Sequence, residues 1–213
     1  MNNSDFYSAI KNEKILVVVR SETKDEGVKT FNALSEAKIK FAELSFTSPN
    51  HLEILDTIVN KYSSDMVIGA GTILNKTDAI LAIKHGAKFL VAPSFNYQVL
   101  KIAKKYNVPY IPGIMTPKEI ATALDYNLSF LKLFPASQFN FNIVKDYKGP
   151  FPNTSYLIMG GVTMANARDW LNSGASVLGI GAAITKGAKE GNFNSVKENA
   201  MKFIELIKEK EEC

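Results

Sequence analysis

The chain has 213 residues, 46% of them hydrophobic and 22% charged, which excludes wholesale disorder and predicts one sizeable domain over residues 1–213. Its single cysteine, Cys213, is the last residue, which excludes an internal disulfide and a cysteine-based zinc site, and its only histidines, His51 and His85, supply a multi-histidine metal centre poorly. Lysine and arginine number 25 against 21 acidic residues, a net charge of +4, and the basic residues are scattered rather than striped, which argues against nucleic acid and suits small anionic substrates.

Eight short apolar runs recur along the chain. They begin at Ile15, Phe41, Met66, Phe89, Tyr110, Phe130, Tyr156 and Ser176, with successive starts 26, 25, 23, 21, 20, 26 and 20 residues apart. Each is rich in Val, Ile, Leu and Phe, the mark of strands buried on both faces of a parallel sheet. The intervals carry helical spacing. Val28, Phe31, Leu34 and Ala37 follow the first run, and Leu52, Leu55, Ile58 and Val59 the second. Ile80, Leu81 and Ile83 follow the third, behind Asn75 or Thr77 as a cap. Val99, Leu100, Ile102 and Ala103 follow the fourth, behind Asn96. Thr116-Pro117-Lys118-Glu119 reads as a helix start with a Thr cap, Pro at the first position and Glu at the third. Later helices are predicted over Asn140–Tyr147, Asn166–Asn172 and Val196–Lys208, with Trp170 as a packing residue. Gly86, Asn127 and Gly174 sit where helices end and a left-handed residue costs little.

Eight strand–loop–helix units in one chain predict a (β/α)8 TIM barrel. The competing layout, an open doubly wound sheet, normally uses fewer strands, and no GxGxxG follows the first run. No run approaches the roughly 18 apolar residues of a membrane helix. Met1–Asp5 lacks the basic and apolar start of a secretory leader. The expectation is a cytoplasmic protein with no membrane partner.

In such a barrel the chemistry sits at the C-terminal ends of the strands. Lys132 interrupts Phe130-Leu131-Lys132-Leu133-Phe134. Burial disfavours its ammonium form and frees the amine as a nucleophile toward a carbonyl; the alternative is an ion-pair or phosphate-binding lysine. Alternation along Phe41–Phe46 puts Phe41, Glu43 and Ser45 on one face, and Ala42, Leu44 and Phe46 on the other. Glu43 therefore points into the barrel, where it serves as a proton-transfer group or a structural partner for Lys132 or Arg20. Arg20 closes the first run with a fork suited to a carboxylate; a solvent-facing rim charge is the other reading. Thr47 and Thr72 are further polar residues at strand ends. Gly160-Gly161 and Gly181 end the last two strands, and Ala182 opens a short helix there, a pattern suited to phosphate; tight turns on a small barrel are the other reading. His51 and His85 read as surface or helix-end residues and Cys213 as a terminal one. The carboxylates form no DxD or ExxH cluster, so no metal is expected.

Taken together, Arg20, AELSFTSP around Glu43, IGAGTILN, VAPSFN, IPGIMTP, LKLFPA around Lys132, KGPFPN, GGV and GIGAA closely resemble the class I 2-keto-3-deoxy-6-phosphogluconate (KDPG) aldolase / 4-hydroxy-2-oxoglutarate aldolase family, from Ile15 to the final helix. The resemblance implies a homotrimeric (β/α)8 barrel that cleaves KDPG to pyruvate and glyceraldehyde 3-phosphate without metal or organic cofactor. It implies Lys132 as the Schiff-base lysine and Glu43 as the acid/base. Thr72 is implied near the pyruvyl carboxylate, Pro93 and Phe134 in the pocket wall, and Gly160, Gly161 and Gly181 at the phosphate. Three departures stand out. Thr47 occupies a position where many members have arginine, which shifts the carboxylate grip to Arg20. Ala182 replaces a frequent serine. Ile158-Met159 replaces Pro-Thr before the glycine pair. The pyruvate half of the site is intact and the aldehyde half has changed. Another keto-deoxy sugar acid, a phosphosugar isomerase or epimerase, and a non-catalytic phosphometabolite-binding barrel are the alternatives.

Overall fold

A computed structural model describes residues 3–209; Cys213 lies outside the described residues. The strands are β1 (Ile15–Val19), β2 (Phe41–Ser45), β3 (Val67–Gly71), β4 (Leu90–Val91), β5 (Tyr110–Ile111), β6 (Gly113–Ile114), β7 (Phe130–Leu133), β8 (Ser155–Met159) and β9 (Val177–Ile180). All their pairings are parallel, in the order β5-β4-β3-β2-β1-β9-β8-β7-β6. The eight predicted runs thus appear as nine strands, because the fifth is split by Pro112. Proline has no N–H to give the ladder. Its carbonyl still accepts a hydrogen bond from Lys132 N at 2.9 Å. The first half of this run pairs with β4 and the second with β7, so the sheet closes on itself as a (β/α)8 barrel.

Ten α-helices are described: α1 (Asn3–Glu13), α2 (Lys24–Glu36), α3 (His51–Tyr62), α4 (Lys76–Lys84), α5 (Tyr97–Tyr106), α6 (Pro117–Asp125), α7 (Ile143–Lys148), α8 (Ala167–Asn172), α9 (Ala182–Thr185) and α10 (Phe193–Lys208). Asn75 and Asn96 cap α4 and α5 with their side chains, and Thr116 with Glu119 forms the capping box of α6. Gly86, Asn127 and Gly174 have φ of 93°, 62° and 97°, as their places at helix ends require. The basic side chains of Lys101, Lys104 and Lys105 lie exposed along α5. Trp170 is buried edge-on to Phe141. No described helix is long and apolar enough to cross a membrane.

Helix α1 has no counterpart in the sequence reading. Phe6 and Ile10, one helical turn apart, are its buried residues. They enter the barrel's inner apolar cluster beside Phe41, Phe89 and Phe130. The Phe6 ring meets Phe41 at 5.7 Å and Phe89 at 5.1 Å between centroids. This helix plugs the N-terminal end of the barrel, so the lower interior is apolar and filled. The outward-facing strand residues, such as Ala42, Leu44, Leu131 and Leu133, join the separate cluster under the helices.

Phe6→Ala removes a fully buried ring from this plug. It should lower unfolding free energy by about 3–5 kcal/mol, read as a lower urea midpoint at unchanged m-value.

Candidate active site

The ring order fixes the central geometry. Counting β5 and β6 as one barrel strand, β2 and β7 lie four positions apart in either direction. Glu43 on β2 and Lys132 on β7 therefore face each other across the interior. Glu43 is 1% exposed and Lys132 is 4% exposed. Their strand neighbours on the same face, Phe41 and Phe130, belong to the apolar plug below them. The alternation read along Phe41–Phe46 holds, and Phe130 likewise lies on the inner face while Leu131 and Leu133 lie on the outer one.

Inward glycines make the room. Gly71 lies beside β2, and a side chain on it would collide with the Glu43 carboxylate. Gly113 pairs with Lys132, and there the backbone of Pro93 occupies the space a side chain would need. Pro93 is thereby held against the strand adjoining the lysine. The Phe134 ring centroid is 4.6 Å from Lys132 Nζ, and Gly160 also packs against that ring. Lys132 thus has an aromatic wall and Glu43 has a backbone wall.

Such burial alters both ionisations. Loss of water pushes the Glu43 carboxyl up to about 7, against the opposing pull of Lys132. The same cause lowers Lys132; Glu43 counters this and the Arg20 guanidinium adds to it. Glu43 Oε2 is buried with no hydrogen-bond partner, an unusual state for a carboxylate oxygen and an open acceptor within the site. The pair presents a lysine inclined to be neutral and a carboxyl that exchanges protons near neutrality.

The remaining predicted residues divide between the mouth and the outer rim. Thr72 follows β3 directly after Gly71 and is half-buried; its hydroxyl lies 3.1 Å from Ser45 Oγ. Thr47 is exposed, with its hydroxyl 2.8 Å from the same Ser45 Oγ. Arg20 stands exposed just past β1, near enough for its charge to act on Lys132. Gly160 and Gly161 have φ of 91° and 90°, which only glycine adopts at low cost. Their turn is held by Ser137 N donating to Gly160 O at 2.9 Å and Asn166 Nδ2 donating to Gly161 O at 2.8 Å. A side chain at Gly181 would meet Val18 at 3.9 Å, an ordinary van der Waals contact, and exposed Ala182 begins α9. Of the Ile158-Met159 pair, only Met159 faces the lumen; Ile158 packs outward under the helices. His51 stacks on Phe46 near the mouth at 4.4 Å, and His85 caps α4 beside Asp56 at 2.7 Å. Among the described residues no three His, Cys, Asp or Glu side chains gather as a metal site.

The braces Ser137 and Asn166 and the shared partner Ser45 were given no role by the sequence. Ser45 carried a signal, since alternation places it on the face of Glu43. Two surface clefts of about 560 and 400 Å³ open at the opposite end of the barrel, around Lys38–Lys40 and around Ala87–Lys88. Neither holds the opposed acid and amine.

Comparison with known proteins gives the chain's family. The family described as "Aldolase: KDPG and KHG aldolase" matches residues 6–199. The 2-dehydro-3-deoxy-6-phosphogalactonate aldolase of Escherichia coli K12 is 27% identical over 92% of this chain and 95% of its own. The KHG/KDPG aldolase of the same organism is 28% identical over 91% and 92%. A solved structure titled "Native KDPGal structure" superposes with a TM-score of 0.87, 26% identity, and coverage of 93% and 96%. The chain belongs to the KDPG/KHG aldolase family.

The raised Glu43 carboxyl gives a stability test. Between the unfolded value of 4.5 and the folded value of about 7, the folded state holds a proton that the unfolded state has lost. The contribution of Glu43 to stability is therefore fully present below about pH 4.5 and is lost as pH rises through about 7. Glu43→Gln removes that loss. Its unfolding free energy minus that of the wild type should grow by about 1–3 kcal/mol from pH 5 to pH 8, measured by urea unfolding at each pH.

Proposed function

We propose that the chain is a Schiff-base aldolase that splits a 2-keto-3-deoxy-6-phosphohexonate into pyruvate and glyceraldehyde 3-phosphate, with 4-hydroxy-2-oxoglutarate as a smaller alternative substrate. The observation that carries this reading is the buried, opposed pair of Lys132 and Glu43. The relatives' names cover two phosphorylated substrates, KDPG and its galactonate counterpart, which differ at C4 and give the same two products.

Neutral Lys132 attacks C2 of the keto acid, and the carbinolamine loses water to leave a protonated imine. Glu43 carries protons between the lysine nitrogen and the departing hydroxyl. The carboxylate form of Glu43 then takes the C4 hydroxyl proton. The C3–C4 electron pair moves toward the iminium nitrogen, the aldehyde leaves, and an enamine stays on Lys132. Protonation at C3 and hydrolysis release pyruvate and restore the amine. Phe134 and Pro93 exclude water around the lysine. Arg20 and Thr72 hold the keto-acid carboxylate, and the ends of β8 and β9, with Gly160, Gly161, Gly181 and Ala182, receive the phosphate. The homotrimer and the cytoplasmic setting implied by the resemblance belong to the same proposal.

The test is pyruvate release from KDPG, its C4 epimer and 4-hydroxy-2-oxoglutarate. Wild type should turn over at least one. Lys132→Ala should lower kcat/KM on the order of a thousandfold or more, and Glu43→Gln by about 10²–10⁴-fold. Full activity in Lys132→Ala, or no pyruvate from any of the three, would contradict the proposal.

A further inference from the structure

Ser45 is a buried polar residue on the inner face of the barrel for which the mechanism above has no use. It follows Glu43 by two residues on β2, so it points into the barrel one step closer to the mouth, and it is 1% exposed. Its Oγ lies 2.8 Å from Thr47 Oγ1 and 3.1 Å from Thr72 Oγ1. Thr72 has a φ of 60°, a left-handed conformation that β-branched residues rarely adopt. Backbone bonds bracket it, from Phe46 N to Gly71 O at 2.9 Å and from Ile73 N to Val91 O at 3.1 Å. Its side chain is held by Ser45.

Three hydroxyls carry three protons, and the two hydrogen bonds among them use two. Leaving the spare proton on buried Ser45 would strand a donor, so it falls on one of the threonines. If the chain runs from Thr47 through Ser45 to Thr72, Thr72 is the free donor; if it runs the other way, Thr47 is. An anion resting at Thr72 selects the first direction, and bonds aligned head to tail strengthen one another. Gly71, which precedes Thr72, lies directly against the Glu43 carboxylate, so this donor sits at the edge of the reacting centre.

We propose that Ser45 is a positioning residue for the keto-acid carboxylate: it fixes Thr72 and turns the Thr72 hydroxyl into a donor, with Thr47 as the outer end of the chain. The inference rests on the keto-acid reading given above.

The test is the concentration of pyruvate, and separately of methyl pyruvate, that half-saturates borohydride inactivation. Ser45→Ala should raise the pyruvate value about fivefold and the methyl pyruvate value less than twofold, because the ester lacks the anion that orders the chain. Maximal inactivation should be unchanged, and Ser45→Thr should return pyruvate to within about twofold of wild type. Thr47→Val, at an exposed position, should raise the pyruvate value about twofold and keeps the test informative should Ser45→Ala fail to fold. An equal shift for both ligands, no shift for either, Ser45→Thr as weak as Ser45→Ala, or an unchanged Thr47→Val would overturn the inference. Wild type that is not inactivated at all would overturn the imine reading and this inference with it; wild type that is inactivated, with Ser45→Ala unaffected, would overturn this inference alone.

Discussion

Two ionisable side chains held inside an apolar barrel are the constraint on which the rest of this structure depends. Moving either charge out of water is costly, and each group lowers that cost by releasing or keeping a proton. Glu43 is pushed toward its protonated form and Lys132 toward its neutral form, while their mutual attraction resists both shifts. The fold supplies what this balance needs. Opposite strands set the two groups facing each other, inward glycines clear the space beside them, and α1 with its Phe6 seals the interior beneath them. A water-filled lower barrel would screen the pair and return both groups toward their ordinary values.

Much of this arrangement is legible in the sequence because two strong periodicities carry it. Buried parallel strands are continuous apolar runs, so a single charge such as Lys132 stands out against its neighbours. Alternation along β2 then assigns Glu43 to the lumen without reference to any other strand. The features that escape such reading depend on contacts between distant segments. In α1 only two residues are fully buried, Phe6 and Ile10, which is too thin an apolar face to mark a helix until the barrel end that receives it is known. Pro112 divides the fifth run through a missing N–H, yet its carbonyl keeps the ring joined to Lys132. The left-handed backbone of Thr72 carries no local signature, since it is imposed by bonds from β2 and to β4.

The proposed function divides the site into an inner part for the chemistry and a rim for selecting what reaches it. The inner part is built from strand residues and backed by packed aromatic rings. The rim comes from loops after β1, β2, β8 and β9, where substitutions leave the core undisturbed. On the proposed reading, Thr47, Ala182 and Met159 bear on selection rather than on reaction. Thr47 and Ala182 are exposed at the rim. Met159 is different, since its side chain enters the lumen against Gly179 and offers an apolar surface in place of a hydroxyl. The aldehyde portion of the substrate would therefore meet a less polar wall than the pyruvate portion.

The central claim is that Lys132 forms a covalent imine with a keto acid, and peptide mass mapping after borohydride reduction in excess pyruvate tests it most directly. The account predicts one reduced pyruvate adduct per chain, located on Lys132 and absent from Lys132→Ala. A folded protein that acquires no adduct, or acquires it equally on exposed lysines such as Lys101 and Lys104, would contradict it.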